Sequence, residues 1–329
     1  MTATRILVTG GAGFIGSHYV RTLLSPGHPA GDVTLTVLDK LTYAGNPANL
    51  DPARADPRFR FVHGDICDVE LVTALMAETD QVVHFAAESH VDRSIKGSYD
   101  FVRTNVMGTQ VLVDAAMRAG VSTFVHISTD EVYGSVAHGS SAEDDPLNPT
   151  SPYSASKAAG DLLVLSHYRT HGYDVRVTRC SNNYGHHHFP EKAIPLFVTH
   201  LLDGKRVPLY GDGLNVRDWL HIDDHVHGIE LVRTKGRAGE VYNIGGGTEL
   251  TNVELTRRLL AECGEDWDMV EFVADRKGHD YRYSVDCGKI RQELGYRPRK
   301  DFATGLAETV AWYRDNRAWW QPLKDRAVL

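Results

Sequence analysis

Thr9-Gly10-Gly11-Ala12-Gly13-Phe14-Ile15-Gly16 follows the apolar run Arg5–Thr9 directly and opens a helix-length segment, Gly13–Leu24. In such a strand–loop–helix unit Gly10 permits the tight turn, Gly13 lets a pyrophosphate reach the backbone, and Gly16 lets the helix approach the strand. The free N–H groups at the helix start would face a doubly charged phosphate ligand. Glycine loops also occur as plain turns, so context decides. The next apolar run, Thr34–Asp39, ends in an acid at about the twenty-residue spacing of dinucleotide-binding units. Asp39 is placed there to accept hydrogen bonds from an adenosine ribose, and its carboxylate repels a 2′-phosphate, which favours NAD over NADP.

Outward from this loop the same rhythm continues. Short β-branched runs at Phe59–His63, Gln81–Ala86, Thr123–Ser128 and Asp174–Arg179 alternate with helix-length segments at Val69–Glu78, Tyr99–Ala119 and Pro152–His171. Strands alternating with helices predict βαβ units, hence an α/β, Rossmann-type, doubly wound parallel sheet covered on both faces. The rhythm breaks after about Cys180. Strand candidates at Val207–Tyr210, Val241–Ile244 and Val270–Val273, with helices near Ile194–Asp203 and Asn252–Glu262, predict a smaller α+β lobe. The expected division is 1–180 for the dinucleotide and 181–329 for a substrate, with some crossing of the chain between them. The turn-rich stretch Asp145–Pro152 belongs to the first lobe.

Composition narrows the function classes. Of 329 residues 42% are hydrophobic and 24% charged, the balance of a globular protein, and the net charge is −8. An acidic chain repels phosphodiester backbones, so general nucleic-acid binding is disfavoured. No apolar run approaches the roughly 18 residues of a membrane span. The first residues, Met-Thr-Ala-Thr-Arg, lead straight into the first apolar run with no cleavable apolar leader. Cys67, Cys180, Cys263 and Cys287 are widely spaced and form no Cys-x-x-Cys pair, which suits reduced thiols. A cytoplasmic location is expected.

Ligands of open α/β sheets lie beyond the carboxyl ends of the strands. The run Phe124–Ser128 ends at Thr129-Asp130-Glu131-Val132-Tyr133-Gly134, and Tyr153-Ser154-Ala155-Ser156-Lys157 follows. Tyr153 and Lys157, four apart, share one helix face. A phenol with a pKa near 10 is a poor base at neutrality. A neighbouring ammonium and a positive nicotinamide ring both favour phenolate, so Tyr153 could take a proton from a carbinol. On an extended segment Asp130 and Glu131 would point to opposite sides. A raised pKa, from burial or from the charge of Glu131, would keep Asp130 protonated.

These motifs identify a resemblance to the extended short-chain dehydrogenase/reductase family, and within it to the nucleotide-sugar dehydratases. Its further carriers are Ala86-Ala87-Glu88-Ser89-His90-Val91-Asp92-Arg93-Ser94, Cys180-Ser181-Asn182-Asn183-Tyr184-Gly185, Phe189-Pro190-Glu191-Lys192, Pro208-Leu209-Tyr210-Gly211-Asp212-Gly213, Arg217-Asp218-Trp219 and Arg276-Lys277-Gly278-His279-Asp280. The resemblance implies NAD as cofactor and dTDP-glucose as substrate, with oxidation at C4, elimination across C5 and C6, and reduction at C6. Thr129, Asp130, Glu131, Tyr153 and Lys157 would be catalytic: Thr129 positions the 4-oxygen, Glu131 is base at C5, and Asp130 is acid on the departing 6-hydroxyl. Around NAD it places Gly10, Gly13, Phe14, Ile15, Gly16, Asp39, Lys40, Thr42, Asp65, Ile66, Phe85, Ala86, Ala87, Ser89, Thr104, Tyr153, Lys157 and Asn183. Around the sugar nucleotide it places Ser89, Thr129, Asp130, Glu131, Asn182, Glu191, Lys192, Pro208, Tyr210, Arg217, Asn252, Arg276 and His279. A homodimer through Tyr99–Ala119 and Pro152–His171 is also implied, as is a deoxysugar product of the kind used in antibiotic biosynthesis, with cell-wall supply as the other outlet.

Siblings on the same fold, a UDP-sugar 4-epimerase or a UDP-glucuronate decarboxylase, are the alternative; a non-catalytic NAD-binding scaffold is the remote one. Epimerisation involves no elimination, so the Asp-Glu pair argues against it. His186-His187-His188 departs from the family pattern, where proline and an aromatic usually stand. Loss of the proline is expected to loosen the loop beside the sugar. Neither this triplet nor His221-Ile222-Asp223-Asp224-His225-Val226-His227 has the spacing of a closed zinc site, and no metal is expected.

Overall fold

The computed structural model describes residues 3–28, 32–324 and 326–327; Met1 and Thr2, on which the reading of the N-terminus partly rests, lie outside them. The six strands expected in the first half form as β1 Thr4–Thr9, β2 Val33–Asp39, β3 Phe59–His63, β4 Gln81–His84, β5 Thr123–Thr129 and β6 Val175–Cys180. All pair in parallel, and β1 has β2 on one side and β4 on the other. The strand order therefore reverses at β1, which opens a crevice at its carboxyl end, where the glycine loop lies.

The strands read as near-continuous apolar runs because both faces are covered. On one face Ile6, Val8 and Val37 pack with Tyr19 and Val20 of the helix Phe14–Leu24 and with Ile229 of the helix Ile222–Lys235. On the other, Leu7, Leu38 and Phe124 pack with Val72, Leu112 and Val164 of the helices Val69–Met76, Thr109–Ala119 and Pro152–His171. The Tyr99–Ala119 segment is helical, but Val102–Gly108 within it is a π-helical stretch. From that stretch the Asn105 side chain accepts from the Glu88 N–H at 2.9 Å and donates to Ser156 Oγ at 2.9 Å.

Beyond Cys180 lie β7 Asn182–Tyr184, β8 Val207–Tyr210, β9 Val216–His221, β10 Val241–Ile244, β11 Glu249–Thr251 and β12 Val270–Val273. β11, β9 and β7 make a three-stranded sheet, and β12 pairs with β8. One strand departs from expectation: β10, read as part of the smaller lobe, pairs in parallel with β6 and becomes the seventh strand of the large sheet. Its four residues carry no mark of which sheet they join, whereas the helix Ile222–Lys235 before it supplies the crossover a parallel strand needs. Around the small sheets the helices Ala193–Leu202, Asn252–Cys263, Phe302–Asp315 and Arg317–Lys324 close a second core containing Trp219, Tyr313 and Trp320. No helix among the described residues is long and apolar enough to cross a membrane.

Candidate active site

Two clefts meet at Glu131, Asn182, Glu191 and Lys192, one of about 320 Å³ and one of about 180 Å³. Every residue expected around the cofactor lines the larger one, from the glycine loop through Asp39, Asp65 and Thr104 to Tyr153, Lys157 and Asn183. At Gly10, φ is +69°, and a Cβ there would lie 2.5 Å from the Ala86 nitrogen. A Cβ on Gly16 would lie 2.4 Å from the Gly10 carbonyl oxygen. Only glycine lets the loop, the helix and the end of β4 meet this closely. The helix starts at Phe14 with Gly13 as its cap and no side chain on its first N–H groups, which leaves them for an anion. Asp39 Oδ2 accepts from the Ala12 N–H at 2.9 Å and Oδ1 from the Leu41 N–H at 2.8 Å, so the carboxylate is held at the cleft wall by the loop itself. Glycine cradle, uncapped helix and carboxylate together fit a dinucleotide lacking a 2′-phosphate.

The reacting end is built by β5 and the helix after it. Ser151 caps that helix, its Oγ accepting from the Ser154 N–H at 3.1 Å, and Pro152 takes the first turn. This fixes Tyr153 and Lys157 in the cleft beside Thr129. β5 stops at Thr129, whose Oγ1 accepts from the Glu131 N–H at 3.3 Å. Asp130–Tyr133 is a 3₁₀ turn rather than the extended segment expected, because Thr129 caps it. Asp130 is 3% exposed, while Glu131 lines both clefts. Burial, then the charge of Glu131, pushes Asp130 well above the ordinary carboxylate range. Burial also raises Glu131, but Arg276, Lys192 and Arg217 oppose that rise.

Lys157 departs from expectation in one respect. Its Nζ donates to the Ile127 carbonyl at 2.7 Å, and burial lowers it to about 8. The Tyr153 phenol is pushed well above its ordinary value by burial and then by Glu131. Within the protein alone, burial and the adjacent carboxylate outweigh the ammonium that was expected to favour phenolate.

Asn182, Glu191, Lys192, Pro208, Tyr210, Arg217, Asn252, Arg276 and His279 line the smaller cleft, whereas Ser89, Thr129 and Asp130 line the larger. Arg217 is held over the Tyr283 ring at 4.4 Å and donates to the Asp280 carbonyl at 2.9 Å. His279 Nδ1 lies 2.6 Å from Asp275 Oδ1. Arg276 Nε is buried without a hydrogen-bond partner among the described residues. The histidine triplet, where loss of the proline is expected to loosen the loop, makes aromatic contacts. His188 stacks on Phe14 at 4.1 Å and 10°, and His187, at φ +65°, packs on Trp312 at 4.4 Å. The second histidine group disperses: His221 accepts from the Asp223 N–H, His225 pairs with Asn183 Oδ1 at 2.7 Å, and His227 with Arg299 at 3.0 Å.

Sequence reasoning missed a buried layer beneath Lys157. Asp161, fully buried, accepts from Arg179 Nε at 2.9 Å, and Arg179 lies over the Tyr133 ring at 4.7 Å. The signal was present, since Asp161 is four residues beyond Lys157 on the same helix face. His90, Asp92 and Tyr283 also line the smaller cleft; the first two stand in the motif Ala86–Ser94 without being assigned to the site, and nothing local marked Tyr283.

A dinucleotide fold with Thr129, Tyr153 and Lys157 gathered at its strand ends defines the short-chain dehydrogenase/reductase class. The sequence model of one family within that reach, GDP-mannose 4,6 dehydratase, matches residues 7–309, and the chain belongs to that family. It is 68% identical over 324 residues to a dTDP-glucose 4,6-dehydratase of Streptomyces antibioticus, covering 98% of this chain and 96% of the relative. Among solved structures it is similar to DesIV, a dTDP-glucose 4,6-dehydratase from Streptomyces venezuelae with NAD and TYD bound: the TM-score is 0.96 at 62% identity, over 97% of this chain and 100% of that one. A UDP-glucose 4-epimerase from Thermotoga maritima, with UDP-glucose, matches at TM-score 0.88 and 31% identity, over 95% of this chain and 100% of the other.

Proposed function

We propose that this chain converts dTDP-glucose to dTDP-4-keto-6-deoxyglucose and water, with NAD held in the larger cleft and the nucleotide in the smaller. The observation that carries the reading is the pair of carboxylates at the end of β5, Asp130 buried in the larger cleft and Glu131 open to both clefts. Bound NAD supplies an acceptor for the C4 hydride and a donor of hydride to C6. Burial and Glu131 keep the Tyr153 phenol protonated in the protein alone; the positive nicotinamide ring would favour its phenolate, which would take the 4-hydroxyl proton while Thr129 holds that oxygen. The 4-ketone acidifies C5, and Glu131, eased toward its charged form by Arg276, Lys192 and Arg217, takes the C5 proton. Asp130, kept protonated by burial and by its neighbour, gives its proton to the departing 6-hydroxyl, so water leaves. Glu131 returns its proton to C5, and net passage of the proton gained by Tyr153 to Asp130 restores both groups, so the turnover closes without net oxidation.

Arg217, Arg276 and His279 would bind the pyrophosphate, with Pro208 and Tyr210 as a wall of the base pocket. A 4-epimerase shares the fold but has no use for an acid and a base beside the Tyr–Lys pair. The chain would divide near Cys180 into cofactor and nucleotide-sugar lobes, with β10 crossing back. A homodimer is supported by Tyr99, Val102, Met107 and Leu162, which stand 78%, 49%, 59% and 53% exposed on the two helices expected to pair. Four unpaired cysteines suit a cytoplasmic location. Incubation with dTDP-glucose and with UDP-glucose, read by the alkali-dependent absorbance of a 4-keto sugar, tests the reading. Product from the thymidine nucleotide is expected; none from either contradicts it.

A further inference from the structure

Arg93 lines neither cleft, yet it sits behind the wall that separates them. Its helix, Val91–Lys96, is short, and the side chain is 25% exposed. The guanidinium lies over the Tyr43 ring, 3.9 Å from its centre, and Tyr43 belongs to the loop whose neighbours Thr42, Ala44 and Gly45 line the larger cleft. The Arg93 Nε donates to Glu191 Oε2 at 3.0 Å, and that Glu191 side chain is 1% exposed and lines both clefts. Tyr43 also meets Phe189 edge-on at 5.7 Å, so the loop after β2 and the Phe189–Lys192 segment touch around Arg93. One further bond runs from Arg93 to the Arg326 carbonyl at 3.2 Å, near the end of the chain.

A carboxylate buried this deeply is tolerable only with a cation against it, and a planar guanidinium alone can stack on a ring while keeping a hydrogen bond in its plane. Arg93 therefore links the loop after β2 to Glu191 through one stack and one ion pair. We infer that Arg93 is a positioning residue that couples occupancy of the cofactor cleft to the shape of the sugar-nucleotide cleft. The inference rests on the assignment of the two clefts proposed above.

The test is the exchange of protein-bound NAD for labelled NAD, with and without dTDP. In the unaltered protein dTDP slows exchange, by a factor within the roughly 5–150-fold span of coupled sites. Arg93→Met brings that factor below about twofold, although both ligands still bind. Tyr43→Leu spares the ion pair and removes the stack, and it also lowers the factor; should Arg93→Met not fold, this variant decides. A factor unchanged in the folded variants overturns the inference, even if their melting temperatures fall, since a merely structural role would do only that. Unaltered protein that binds NAD and dTDP without coupling overturns it too. Unaltered protein that binds neither overturns the functional reading, and the inference with it.

Discussion

The two sides of the cleft are made of different material. The part of the dinucleotide side built from the first 45 residues is mainly backbone: a glycine loop, an uncapped helix start and one carboxylate fixed by two N–H groups. The sugar-nucleotide side is made of long side chains from segments scattered between Ser89 and His279, several of them charged and buried against one another. A backbone site is rigid and intolerant of added volume. A site of opposed charges is tunable, and the chemistry is placed there.

That contrast can be broken or sharpened by experiment. The largest effect is expected from Asp130→Asn with Glu131→Gln, which should cut dehydration by at least about 10²–10⁴-fold while bound NAD is retained; product formation at the original rate would remove the acid–base assignment. Next comes Gly10→Ala, where the added methyl meets the Ala86 backbone and the residue keeps φ +69°. Overpacking of about 1–3 kcal/mol with left-handed strain of about 1–2 kcal/mol should strip NAD from the purified protein, as its absorbance would show. Arg276→Ala should raise KM for the sugar nucleotide by about 10–150-fold, the loss of a charge-assisted hydrogen bond, with NAD content unchanged.

Acidity offers a fourth test. Lys157 is lowered to about 8 by burial, so it is a cation below that pH and neutral above it. The pH profile of kcat/KM should fall on the basic side with a midpoint near 8, and Lys157→Arg should move that limb upward. The smallest effect belongs to the histidine triplet. His188→Ala removes the stack on Phe14, about 0.5–1.5 kcal/mol, and should speed NAD loss by about two- to tenfold.

The same contrast explains what the sequence disclosed. Glycine spacing, apolar runs and the Asp39 position are local patterns with fixed physical meaning, so β1 to β6, the glycine loop and Asp39 were legible from residues alone, while the rest of the cofactor wall came through family resemblance. β9 was not, because Arg217, Asp218 and His221 are turned into the protein and make a buried strand read as a polar loop. β10 was found as a strand but placed in the wrong sheet, since pairing is a long-range choice. The sugar-nucleotide residues emerged only through family resemblance: an Arg276 or an Asn252 looks like any surface residue until the fold turns it inward. Asp161 and Arg93 act behind the walls: only the spacing of four from Lys157 pointed to the first, and the second stood in a family motif with nothing to show its place.

The claim on which the rest depends is that the C4 hydrogen of the sugar is taken and given back within one molecule. dTDP-glucose carrying deuterium at C4 tests it most directly, with the product examined by mass spectrometry and NMR. The account predicts that the label is found in the C6 methyl group. A methyl group without deuterium, in product formed from fully labelled substrate, would contradict it.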